Sequence, residues 1–171
     1  MRIIRMVTAL GLSVLASSVA QAQSSQASPA ARAAELVERA DQITAVNKFG
    51  EKARLYERAT RLLTVDDPQL AYLLIRAGST YYFVGNKAKA REIFRQVAAL
   101  AEEQKNESLA AEAYFKSLIL AAEQQDRQQV RVLIDRLVIL AGSATLPESE
   151  RVAILRRISV PLAALTPQPG R

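Results

Sequence analysis

The sequence predicts an all-helical protein built from antiparallel helix hairpins. Between residues 30 and 158 the prolines are Pro68 and Pro147, and alternating runs of β-branched residues are missing. Apolar residues recur instead at spacings of three and four, as on the buried side of an amphipathic helix. Turn residues cluster at six places and divide this region into seven helices, whose short connections make successive helices antiparallel neighbours.

The N-terminus, residues 1–22, has the pattern of a secretory signal peptide. Two arginines precede an apolar stretch, residues 6–19, which ends in the small-residue pattern Ala20-Gln21-Ala22. We therefore expect a bacterial protein that is periplasmic or secreted and begins at Gln23. The alternative is an uncleaved anchor, since the stretch is near the lower limit of a bilayer span. The absence of cysteine excludes disulfides and a lipid anchor through an N-terminal cysteine.

The charges of the chain are mixed in sign along its length. The 171 residues include 23 basic and 17 acidic ones, and removal of Arg2 and Arg5 with the signal peptide leaves a net charge of about +4. Basic and acidic residues are interspersed from Glu35 to Asp135, whereas nucleic-acid binders concentrate positive charge on one face. We expect solvated helix faces, no nucleic-acid partner and no membrane span after signal cleavage.

The composition argues against an enzyme. Histidine and cysteine are both absent, which removes the commonest general base, the thiolate nucleophile and the usual zinc and haem ligands. The densest carboxylate group, Glu102, Glu103 and Glu107, lies with Lys105 at a predicted helix junction, where a solvated turn is expected. We therefore expect no catalytic residue, no metal site and no cofactor.

The turn residues give each helix its bounds. Asp67 before Pro68 is an N-cap followed by proline in the first turn, and Gly85 suits a left-handed helix stop. A leader over 23–30 and a proline-rich tail over 160–171 are expected to be disordered because they have little apolar area to bury. The helices are predicted at about 31–46, 50–63, 68–84, 87–104, 107–124, 127–141 and 147–159.

The third and fourth helices carry a recognisable pattern of small and bulky residues. The pattern consists of Leu74, Ala77, Gly78, Tyr81, Gly85, Ala90, Phe94 and Val97. In type and spacing it resembles the tetratricopeptide repeat (TPR) family. The resemblance implies that the two helices approach closely at Gly78 and Ala90, and that Tyr81 and Phe94 fill the space around them. Leu74 stands where the family has tryptophan.

Two further copies of the pattern flank this one. In each copy a small or apolar residue is followed, at the same separation along the chain, by a bulky one: the pairs are Ala40 and Tyr56, Gly78 and Phe94, and Leu118 and Ile134. The repeats that these pairs define are longer than the roughly 34 residues usual in the family, and a generic helical array is the alternative. We expect about three hairpins over 31–141 and a seventh helix that caps the last hairpin.

Terminal repeats of such arrays need a cap because their outer apolar face has no neighbour. The cap is expected to pack through Val152, Leu155 and Ile158, which recur at a spacing of three. The whole would form an α-solenoid over residues 31–159.

The resemblance also implies a concave face lined by the first helix of each hairpin, which in the family holds an extended peptide or a partner helix. Carried over to this chain, the groove comprises Tyr72, Ile75, Ser79 and Tyr82 in the middle repeat and Glu112, Phe115 and Ile119 in the next. The first repeat would add Ala34, Val37, Asp41 and Thr44.

This groove is largely apolar and predicts an exported scaffold for protein interactions. Two alternatives remain open. The groove is filled by the seventh helix or by a second subunit of a homo-oligomer or envelope assembly, or it captures a small molecule. The sequence does not identify the partner.

Overall fold

The computed structural model describes residues 27–165, with side chains described as far as Ser159. In this part of the chain the backbone forms seven α-helices, a 3-10 helix at Val46–Lys48 and no strand. The α-helices are α1 (Pro29–Asp41), α2 (Phe49–Thr60), α3 (Pro68–Phe83), α4 (Lys87–Glu103), α5 (Glu107–Glu123), α6 (Arg127–Ala141) and α7 (Glu148–Leu165). Each helix packs against the next one along the chain, and α5 also contacts α7. The predicted all-α, solenoid-like arrangement is confirmed.

Five of these helices begin after a residue whose side chain caps the first turn. A side-chain oxygen accepts a hydrogen bond from a backbone N–H two or three residues further on, which satisfies a donor that the first turn leaves free. The capping residues are Ser28, Asp67, Asn86, Asn106 and Asp126. None of the helices in the described part is long and apolar enough to cross a membrane.

The loops after α3, α4 and α5 share one conformation and recur at equal intervals along the chain. In each loop a residue with positive φ, at +81°, +52° and +57° in chain order, precedes the next N-cap; these residues are Gly85, Lys105 and Gln125. The N–H of each N-cap residue donates to the carbonyl five residues earlier, at 2.8 to 3.0 Å. One helix and its loop therefore form a unit of constant length, and two such units make a hairpin longer than the repeat of roughly 34 residues usual in TPR proteins.

The first helix differs from its predicted bounds at both ends. It starts at Pro29 rather than residue 31, because Ser28 caps it and proline suits the first turn. It ends at Asp41 rather than residue 46, and the side chain of Lys52 then binds the carbonyl of Ile43 at 3.1 Å. The last residues of the predicted disordered leader, 23–30, therefore belong to α1.

The last helix is longer than predicted. It continues to Leu165 rather than ending at residue 159, so half of the predicted tail belongs to α7. The predicted signal peptide over 1–22, the leader up to residue 26 and the tail from residue 166 lie outside the described residues.

The middle hairpin packs as the pattern predicted, with one exception. Ala77, Gly78, Tyr81, Ala90, Phe94 and Val97 are buried. Leu74 is only half-buried, and Leu73 is buried in its place, at 2% exposure. One helical step is about 100°, so a shift of one residue moves a side chain from the core to its edge.

The face that α7 buries also differs from the prediction. Ile154 and Ile158 are buried against α5 and α6, whereas Val152 and Leu155 are half-exposed. The buried pair is spaced by four residues, so the apolar stripe is rotated from the predicted one. Helix α7 covers the end of the last hairpin, but the side that it buries contains Ile154 and Ile158 rather than Val152 and Leu155.

Candidate functional site

The exposed side of α3 carries two large aromatic residues. The opposite side of this helix supplies Leu73, Ala77 and Tyr81 to the core. Tyr72 is 61% exposed and Phe83 is 74% exposed. Contiguous apolar patches on a folded surface mark binding sites more often than single exposed apolar side chains do.

A cleft of about 300 Å³ lies beside these aromatics, between α2 and α3. Apolar, aromatic and cationic side chains share it. Its lining consists of Phe49, Lys52, Tyr56, Ile75, Arg76, Ser79, Thr80 and Phe83. The predicted groove residues Ile75 and Ser79 therefore lie together in one cleft with Phe83.

Arg76 is held in place at the edge of this cleft. Its guanidinium binds the carboxylate of Asp41, and it lies 4.5 Å from the ring centre of Tyr56 and 5.5 Å from that of Tyr72. The hydroxyl of Tyr56 donates to the same carboxylate. We call Asp41, Tyr56 and Arg76 the first clamp, because they join the end of α1 to α2 and α3.

The clamp shifts the pKa values of its acidic members in opposite directions. Burial raises the pKa of Asp41, but the hydrogen bonds from Arg76 and Tyr56 outweigh it and hold the pKa below its usual value. Burial and the hydrogen bond to Asp41 raise the pKa of Tyr56 well above its usual value. The carboxylate and the neutral phenol are therefore both stable at neutral pH, and Arg76 is fixed beside Tyr72.

The same arrangement recurs in the third hairpin. Tyr114 of α5 donates to the carboxylate of Glu102 at the end of α4, and Arg136 of α6 binds that carboxylate at 2.7 Å. The guanidinium of Arg136 also lies 5.2 Å from the centre of the Tyr114 ring. Neither clamp was predicted from the sequence, although the two share a sequence pattern. An acidic residue at the end of one helix is followed by a tyrosine in the next helix and an arginine in the helix after that.

The second part of the predicted groove lies in a separate cleft, of about 280 Å³, between α5 and α7. Glu112 and Phe115 line it, and Arg157 of α7 engages both. The guanidinium of Arg157 binds Glu112 at 3.0 Å and lies 4.9 Å from the centre of the Phe115 ring. At this end of the molecule the seventh helix covers the predicted groove residues.

Tyr82 of α3 reaches α5, and Ile119 lies on α5 itself. Tyr82 is half-buried against the core, and its hydroxyl donates to Glu123, which also binds Lys87 at 2.7 Å. Ile119 is half-buried as well. The predicted groove is therefore not one continuous strip. Ile75, Ser79 and the exposed Tyr72 lie at α3, whereas Glu112 and Phe115 lie under α7.

In the described part of the chain no three metal-ligating side chains come together. No protein-family model and no curated protein gives a significant match to this chain.

Proposed function

We propose that this chain is an exported, TPR-like module without catalytic activity, which binds an apolar segment of a partner protein against α3. The observation that carries the proposal is the pair of exposed aromatic side chains, Tyr72 and Phe83, beside the cleft that Ile75 and Ser79 line. Rigid aromatic groups next to a pocket supply much of the energy of protein interfaces, because they bury a large area at little entropic cost.

The bound segment would be a peptide or a partner helix that is mainly apolar. Ile75, Phe83 and the ring of Phe49 offer apolar contacts in the cleft, and Ser79 offers one hydroxyl for a polar group. Lys52 and Arg76 add positive charge at its edge, and Asp41 neutralises part of that charge. An apolar anchor residue flanked by polar groups fits this combination.

A second candidate is an interface between copies of this chain. Four apolar side chains near the C-terminal end of the described fold are 47% to 73% exposed, namely Val138, Ile139, Val152 and Leu155. Such a surface at the end of a helical array favours a structural subunit of a homo-oligomer or envelope assembly. In that case the α7 end, rather than α3, is the binding surface.

Site-specific photo-crosslinking in the exporting cell separates the two candidates. A photoreactive phenylalanine analogue replaces Tyr72, Phe83 or Ile139, and the exposed Gln128 of α6 serves as the control position. Adducts with a different protein at Tyr72 and Phe83, lost when Ile75→Glu is added, support binding at α3.

Adducts with a second copy of the chain at Ile139, with none at Tyr72 or Phe83, support the homo-oligomer instead. Light scattering of the purified protein over a dilution series provides an independent check. Adducts at Gln128 equal to those at Tyr72 contradict both candidates, because they would show no preference for either surface.

A further inference from the structure

A third cleft, between α1 and α2 of the first hairpin, is lined mainly by basic residues, unlike the cleft at α3. Its volume is about 470 Å³. It is lined by Arg32, Glu35, Leu36, Arg39, Arg58, Arg61 and Leu62. Four guanidinium groups thus border a single cleft beside one carboxylate.

Most of these arginines have no carboxylate partner in the described part of the chain. Arg32, Arg39 and Arg58 lie more than 4.0 Å from every acidic side chain described, and all three are exposed. Arg61 binds Glu57 at 2.8 Å. Glu57 in turn is shared with other donors.

Glu57 cannot neutralise the cleft by itself. Its carboxylate also accepts the hydroxyl of Tyr81 at 2.6 Å and binds Lys89 at 3.3 Å. By contrast, Arg76 is compensated by Asp41 and Arg136 by Glu102. The cleft therefore gathers an excess of positive charge in one place, and a bound anion would relieve the repulsion within it.

We propose that this cleft binds a phosphate-bearing group, either the headgroup of an anionic lipid or a soluble phosphate compound. Guanidinium groups bind phosphate through two parallel hydrogen bonds and shed water readily. A phosphate carries up to two charges and three acceptor oxygens, so it satisfies several arginines at once. Leu36 is buried at the cleft and Leu62 half-buried, which lowers the local dielectric and strengthens the ion pairs.

The test uses the protein as isolated after export, with two phosphate probes. Inorganic pyrophosphate is titrated by calorimetry, and vesicles of phosphatidylcholine with or without phosphatidylglycerol are used in co-sedimentation. The variant carries Arg39→Gln with Arg58→Gln. The matched control carries Arg91→Gln with Arg95→Gln, which removes the same charge from exposed positions on α4. Circular dichroism establishes that both variants fold.

Each arginine near an anionic surface contributes roughly five-fold in affinity, so Arg39→Gln with Arg58→Gln should weaken binding roughly 25-fold. The control should lie within about two- to three-fold of the wild type, because neither of its charges lines the cleft. Binding to the phosphatidylglycerol vesicles alone identifies a lipid headgroup, and binding to pyrophosphate identifies a soluble phosphate. Both outcomes support the site.

Three results would overturn it. The first is no binding of either phosphate probe. The second is an equal loss of affinity in the two variants, which would show that only net charge matters. The third is tighter binding of polyglutamate than of pyrophosphate, which would make the ligand an acidic protein segment.

Discussion

Gly78 of α3 lies against the ring of Phe94 of α4, so closely that an added Cβ would be 2.7 Å from one ring carbon and 3.1 Å from the next. Phe94 is 1% exposed, so its ring is enclosed by the core. The same Cβ would also be 3.2 Å from Ile93. The close approach of the two helices in the middle hairpin therefore depends on the absence of a side chain at residue 78.

Gly78→Ala is expected to destabilise the fold, and Gly78→Leu more so. Overpacking a well-packed contact costs about 1 to 3 kcal/mol, which exceeds the roughly 1 kcal/mol that alanine contributes to a helix relative to glycine. Urea unfolding followed by circular dichroism measures the difference. Gly50→Ala in α2 is the control, because its nearest neighbour would be 3.8 Å away and stability should be unchanged or slightly higher. Wild-type stability of Gly78→Leu would contradict the close approach.

The left-handed loop positions offer a route to a more stable protein. Lys105 and Gln125 have φ of +52° and +57°, a region that costs residues with a Cβ about 1 to 2 kcal/mol. Lys105→Gly and Gln125→Gly should each raise the free energy of unfolding by about 0.5 to 1 kcal/mol. The control Gln124→Gly, at φ −88°, should give no gain. Equal midpoints of thermal unfolding for Gln124→Gly and Gln125→Gly would contradict the prediction.

The raised pKa of Tyr81 predicts that the folded protein loses stability at alkaline pH. Burial and the hydrogen bond to Glu57 raise the pKa of Tyr81 to about 12, from a usual value of 10.0. Between these values the unfolded chain releases the phenolic proton and the folded chain keeps it, so the free energy of unfolding falls as the pH rises. Below pH 10 this contribution is fully present.

The check is a series of urea unfolding curves from neutral to strongly alkaline pH. Tyr81→Phe should be less stable than the wild type at neutral pH and should lose less on the alkaline side. Tyr72→Phe is the control, since Tyr72 is exposed, and it should follow the wild-type profile. A Tyr81→Phe profile parallel to that of the wild type would show that this hydroxyl does not couple folding to pH.

Two apolar residues on neighbouring turns of α7, an isoleucine and a leucine, differ in burial. Ile158 is 3% exposed and Leu155 is 50% exposed. Ile158→Ala should therefore cost about 2 to 5 kcal/mol of unfolding free energy, and Leu155→Ala about 0.5 kcal/mol or less. The two variants are compared by urea unfolding. A larger loss for Leu155→Ala would contradict the burial of Ile158 and the exposure of Leu155.

Much of the fold was predictable because its signals are local. The predicted helix over 127–141 has the bounds that the structure shows, and that over 87–104 differs by one residue at its end. Both begin after a capping Asn or Asp, and such caps act over three residues. The pairing of Gly78 with Phe94 was also predictable, because a small or apolar residue and a bulky one at the same separation occur in all three hairpins.

The candidate site was predictable only in part. Tyr72 and Ile75 were selected from their places on the first helix of the repeat, and they lie beside a cleft. Glu112 and Phe115 were selected in the same way, but Arg157 covers them. That contact joins residues that are far apart in the sequence, and no local pattern encodes it.

The sequence by itself determined the helices, their order and the small residue at the tightest contact. Local capping, proline positions and apolar spacing depend on neighbours within one or two turns. Only the tertiary structure decided which face of α7 is buried, where the groove is covered and which arginines have a partner. Those outcomes depend on the angle between packed helices, and a rotation of one residue exchanges a buried side chain for an exposed one.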